Sequence, residues 1–117
     1  MRRSSSKGRA RERFDSMLHC AEYAIALQER FGFPLYAVRG DDDYEHRIIH
    51  IFVSGDGGRT GIDVSGERAV SQIVSDCTEV ARASVELFER EDLGNEMIAI
   101  DEAVLDEARG IVRSEWP

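Results

Sequence analysis

Residue types that can build a cysteine-nucleophile site occur at Cys20, His50 and Asp63, in that order along the chain. A cysteine attacks as its thiolate, and a helix N-terminus or a neighbouring imidazole favours that form. A carboxylate hydrogen-bonded to the same imidazole fixes its orientation and tautomer. Whether the three residues can do this chemistry depends on the elements that carry them.

A β-hairpin is predicted to carry His50 and Asp63, because two apolar, β-branched runs flank a glycine-rich segment at 54–61. If Asp56-Gly57 forms a two-residue turn, facing residues have numbers that add up to 113, and His50 lies directly across from Asp63. Directly opposed residues have Cβ atoms about 4.5–5.5 Å apart, within reach of a hydrogen bond between the side chains. A turn centred on Gly57-Gly58 would instead place Phe52 opposite Asp63; turn chemistry favours Asp-Gly.

Two local patterns extend beyond these three residues. Residues 19–40 predict a helix that opens near a cysteine, a closing glycine, and a short strand that ends in Arg39-Gly40. Residues 50–64 predict a strand that begins with His50, a glycine-rich turn, and a strand with Asp63 near its end. Together the patterns resemble the core of the transglutaminase-like branch of the papain-like superfamily, from about residue 14 to residue 66.

The resemblance implies that Cys20 is the nucleophile, His50 its base and Asp63 the residue that orients the base. It also implies a cysteine hydrolase or acyl-transfer enzyme that needs no cofactor or metal. Helical spacing, however, extends back to Phe14, and a helix that starts at Asp15 would leave Cys20 one turn inside it. A helix that begins at His19 favours an active Cys20 nucleophile, whereas a helix that begins at Asp15 favours an inert scaffold in which Cys20 is a core thiol.

Charge divides the chain into two parts. Residues 1–13 carry six basic groups and one acidic group, a net charge of +5. The net charge of the whole chain is −8, so the remaining residues carry a net charge of −13. A body this acidic repels nucleic acid and membrane surfaces, and its expected partners are basic protein surfaces or neutral acyl or peptide substrates. An acidic turn with Asp41, Asp42, Asp43 and Glu45 is the candidate contact for a basic partner.

The basic leader, residues 1–13, has no apolar run and is predicted to be disordered rather than a signal peptide. No segment reaches the roughly 18 apolar residues of a membrane-spanning helix. The two cysteines lack the spacing of a zinc or redox motif, so both are predicted to be free thiols in a cytoplasmic protein.

Residues 14–117 are predicted to form a single α+β domain, with a long N-terminal helix packed on a small antiparallel sheet and further helices in the C-terminal half. The predicted helix begins at Asp15 or Ser16 and ends before Gly32. Predicted strands cover 35–39, 46–54 and 60–64, and a second helix follows Gly66. Residues 78–91 fit either a helix or a strand; a strand near 85–88 is favoured, and a final helix contains Asp101 or Asp106.

Two function classes remain open. The first is a minimal cysteine hydrolase or acyl transferase that uses Cys20, His50 and Asp63. The second is a non-enzymatic acidic binding protein on the same scaffold, such as a phage or mobile-element inhibitor of host defence, anti-CRISPR-like, that docks on a basic nucleic-acid-binding surface.

Overall fold

The computed structural model describes residue 14 and residues 19–40, 47–77 and 83–117. The basic leader and the acidic turn at 41–45 lie outside these described residues. In chain order the elements are α1 (Cys20–Phe31), β1 (Leu35–Gly40), β2 (Ile48–Val53), β3 (Thr60–Asp63), β4 (Gly66–Ala69), α2 (Val70–Cys77), β5 (Ala83–Phe88), α3 (Asp92–Asn95) and α4 (Glu102–Glu115).

The strands form one antiparallel sheet in the order β4-β3-β2-β1-β5. The predicted α+β class, with an N-terminal helix on an antiparallel sheet and helices in the C-terminal half, is therefore confirmed. The predicted strand near 85–88 is also confirmed, since β5 pairs with β1 along six residues. Strand β4 was not predicted from the sequence.

Helices cover both faces of this sheet. Leu35 and Ala37 of β1 belong to a large apolar cluster with α1 and α4, whereas Tyr36 and Val38 belong to a smaller cluster with α2. Because successive strand residues point to opposite faces, α1 and α4 lie on one face and α2 on the other. Among the described helices, none is long and apolar enough to span a membrane.

The hairpin between β2 and β3 has a different register from the predicted one. Val53 pairs with Ile62, which centres the turn on Gly57-Gly58 and corrects the Asp56-Gly57 prediction. Both glycines have positive φ, 77° and 93°, and lie in a loop, residues 54–59, that joins the two strands. The Asp56 carboxylate is used instead as an acceptor for the backbone N–H groups of Arg59 and Thr60, at 3.1 and 2.9 Å.

The predicted final helix is present as α4, which contains Asp106 and is capped by Asp101. The Asp101 side chain accepts hydrogen bonds from the N–H groups of Ala103 and Val104, which makes it the N-cap of α4. Its own backbone N–H donates to the buried Glu22 carboxylate at 3.0 Å. The start of α4 is thereby tied to the first turn of α1.

Candidate thiol site

Cys20 is the first residue of α1. The preceding residue, His19, is the N-cap, and its backbone leaves the helical region with φ −127° and ψ 3°. The prediction that this helix would start at Asp15 or Ser16 is therefore wrong, because the backbone at His19 interrupts the helical spacing. Cys20 instead lies in the first turn, where backbone N–H groups lack intrahelical acceptors and the helix dipole is positive.

The His19 side chain makes no capping hydrogen bond at this end of α1. The His19 imidazole lies 3.7 Å from the Glu22 carboxylate, with its Nδ1 buried. The first-turn N–H groups next to the cysteine are thus not occupied by a capping side chain from His19.

His50 and Asp63 are in direct contact. His50 Nε2 lies 2.8 Å from Asp63 Oδ2, and the two residues are 2% and 3% exposed. Continuing the Val53–Ile62 pairing by one step places Phe52 opposite Asp63, so His50 is a diagonal neighbour of Asp63 rather than its facing residue. Diagonal neighbours on one face are still within reach of long side chains, which is why the contact forms although the predicted register is wrong.

Cys20 completes the cluster, since its side chain is hydrogen-bonded to His50. Because Nε2 is occupied by Asp63, the ring presents Nδ1 to the thiol. Burial lowers the pKa of His50, but the hydrogen bonds to Asp63 and Cys20 outweigh this effect and raise the pKa to about 9. At neutral pH the ring therefore carries a proton between a sulfur atom and a carboxylate.

The Asp63 carboxylate has two further partners. Oδ1 accepts the Ser65 backbone N–H at 2.9 Å, and Oδ2 accepts a second hydrogen bond, from Arg68 Nη2, at 3.2 Å. Burial raises the pKa of Asp63, but the hydrogen bond and charge of His50 and the charge of Arg68 outweigh it, so the pKa lies below its ordinary value. Asp63 is therefore the anion that holds the imidazolium.

Arg68 was missed in the sequence because β4 was not predicted. Its strand follows β3 after a tight turn in which Asp63 pairs with Gly66. The sequence signal was Gly66 directly after Val64-Ser65, and in the structure its φ of 110° lies in the region that favours glycine. Reading Asp63-Val64-Ser65-Gly66 as a hairpin would have placed Arg68 beside the site.

The remaining candidate residues belong to the predicted contact for a basic partner. Asp41, Asp42, Asp43 and Glu45 fall outside the described residues. In the part of the chain that the structure describes, no group of three or more His, Cys, Asp or Glu side chains is arranged to hold a metal ion.

Comparison with known proteins gives no relative. No family model, curated protein or solved structure matches the chain significantly. The chemistry of the site is therefore inferred from its own geometry.

The three residues are enclosed. Cys20 is 3% exposed, which is as deeply buried as the two residues that follow it in the hydrogen-bonded chain. A substrate carbonyl would meet the sulfur only after a local opening of the surrounding segments.

Proposed function

We propose that this protein is a cysteine-dependent hydrolase or acyl transferase, with Cys20 as nucleophile, His50 as acid and base, and Asp63 as the residue that orients His50. The observation that carries the proposal is the continuous contact from the first residue of a helix, through a protonated imidazole, to a buried carboxylate.

Each part of the arrangement supports one step. The helix N-terminus and the imidazolium both stabilise a thiolate, which is the attacking form of cysteine. The sulfur bonds to the substrate carbonyl carbon, and the leaving group departs with the proton from His50 Nδ1. Water, or an amine acceptor, then gives its proton to His50 and displaces the sulfur, which releases a carboxylic acid or an amide and regenerates the thiolate.

The order of Cys20, His50 and Asp63 along the chain is the feature on which the resemblance to the transglutaminase-like core rests. Because the helix begins at Cys20, first-turn N–H groups, which have no acceptor within the helix, lie near the sulfur, where they could stabilise a developing oxyanion. The acidic body, with −13 charges outside the leader, favours neutral or basic acyl or peptide substrates in the cytoplasm.

Acylation of Cys20 tests this proposal. We expect a small activated ester, such as p-nitrophenyl acetate, to add one acetyl group to the protein within a fast first turnover, as seen by intact mass spectrometry. Peptide mapping should place the group on Cys20, and Cys77→Ser should react as the native protein does. Acetylation that persists unchanged in Cys20→Ser, or in His50→Gln, would contradict the proposal.

A second function is favoured by one observation, the 3% exposure of Cys20. A thiol this enclosed also fits an acidic binding protein on the same scaffold, an inhibitor that docks on a basic surface through Asp41, Asp42, Asp43 and Glu45. Reversing these four charges should then abolish binding to a basic partner, while Cys20→Ala should leave it intact. The opposite pattern would support the enzyme.

A further inference from the structure

Arg68 contacts the site from the strand at the edge of the sheet. Its Nη2 donates to Asp63 Oδ2 at 3.2 Å, and the same oxygen lies 2.8 Å from His50 Nε2. The guanidinium and the imidazole are thus no more than about 6 Å apart, because both contact one oxygen atom. Two cations share a single buried carboxylate.

Arg68 is itself anchored. Its Nη1 donates to Asp76 on α2, the helix that packs on the opposite face of the sheet from α1. Gln72 donates to the other oxygen of Asp76 at 3.0 Å, one helical turn away. The contact chain therefore runs from α1 through three strands to α2.

From this geometry we propose that Arg68 is a positioning residue for the thiol site, holding the Asp63 carboxylate in place and taking up part of its charge. The inference rests on the proposed function of Cys20, His50 and Asp63, but its contact is independent of any substrate. The charged groups that face the shared oxygen are His50 from β2 and Arg68 from β4; Asp76 from α2 faces the guanidinium, and Cys20 from α1 faces the imidazole.

The charge balance gives a direction for the effect. With Arg68 present, Asp63 divides its charge between two cations, so the imidazolium gives up its proton more readily. Without the guanidinium the carboxylate acts on His50 alone, and the imidazolium is held more tightly. An imidazolium that binds its proton more tightly is a weaker general acid, so it transfers the proton more slowly to a leaving group.

NMR titration of the His50 ring in the full chain tests this inference. We expect Arg68→Met to raise the midpoint of the His50 titration by roughly 0.5–1 pH unit, the scale of a nearby charge in a partly solvated site. Arg68→Lys keeps the charge and should shift the midpoint by less than half as much. Arg109→Met removes a guanidinium that binds Glu29, nine residues along α1 from Cys20 and thus roughly 13 Å away, and should leave the midpoint unchanged.

Asp76→Asn provides a second test if Arg68→Met does not fold. Asp76 is half exposed, and its substitution removes the anion that Arg68 Nη1 contacts. The contact of Arg68 Nη2 with Asp63 is kept. We expect a smaller shift of the opposite sign, because the guanidinium then gives more of its charge to Asp63. An unchanged or lowered midpoint in Arg68→Met, or a raised midpoint in Asp76→Asn, would overturn the inference.

The outcome for Arg68 is separable from that for the enzyme. If native Cys20 resists acylation while Arg68→Met still raises the His50 midpoint, the positioning contact stands and the proposed function falls. If native Cys20 is acylated and the midpoint does not move, the enzyme stands and the role of Arg68 is wrong.

Discussion

His50 is the residue on which the site depends, because it contacts both Cys20 and Asp63. Its ring is buried, yet it binds an anion through Nε2 and a thiol through its other side. An uncompensated charge at this depth would cost several kcal/mol, so the contact with Asp63 is what makes the protonated ring tolerable. Removing Asp63 alone should therefore harm folding as well as chemistry.

The raised pKa of His50 has a consequence for stability. An unfolded histidine titrates near 6.5, whereas His50 in the folded protein titrates at about 9. Between these values the folded state binds more protons than the unfolded state, so its stability falls as the pH rises. The contribution of His50 is fully present below about pH 6.5 and is lost as the pH passes through 9.

Urea denaturation between pH 5.5 and 9.5, values chosen to span roughly these two limits, measures this dependence. We expect the free energy of unfolding to decrease across the upper part of the range in the native protein. His50→Gln should show a flatter profile, since it removes the titrating imidazole and leaves two of the three histidines of the chain. A native profile that rises from pH 6.5 to 9 would show that the imidazole is buried in its neutral form.

At the scale of the elements, the start of α1 is held by the start of α4. The Asp101 backbone N–H donates to the Glu22 carboxylate, and Glu22 lies in the same helical turn as Cys20. The two helices also meet where the Tyr23 hydroxyl donates to the buried Glu115 carboxylate at 3.0 Å. The end of α1 that bears the thiol is therefore fixed by buried polar contacts as well as by apolar packing.

Removing the N-cap of α4 tests how much this helix end contributes to the stability of the folded protein. Asp101→Ala leaves the N–H groups of Ala103 and Val104 without their acceptor and should lower the free energy of unfolding by about 1 kcal/mol. Asp101→Asn keeps an acceptor and should cost only a few tenths of that. Equal midpoints in urea for Asp101→Ala and the native protein would show that the cap does not stabilise α4.

The sequence predicted those elements whose local signals agreed with their packing. Gly32 ends α1 with φ 75°, and its N–H bonds to Gln28 as the left-handed cap requires. The start of α1 was not predictable from periodicity, because the apolar spacing continues through His19 while the backbone does not. The hairpin register failed for a related reason, since the Asp56 carboxylate caps N–H groups of the loop instead of occupying the turn.

For the molecule as a whole, the site depends on contacts between elements distant in sequence. The approach of Cys20 to His50 requires α1 to pack across the sheet, and no pattern within either segment specifies that approach. His50 contacts Asp63 although the predicted register was wrong, because side chains two positions apart on a strand point to the same face of the sheet. Arg68 contacts Asp63 because β4 pairs with β3, and Asp76 contacts Arg68 from α2, the helix that follows β4.

Alkylation of Cys20 tests the central claim most directly. In Cys77→Ser, where Cys20 is the single thiol, we expect iodoacetamide at about pH 7 to label the folded protein faster than it labels the same protein unfolded in urea. His50→Ala should remove this advantage, because the imidazolium that favours the thiolate is then absent. Labelling that occurs only after denaturation would contradict the account and identify Cys20 as a core thiol.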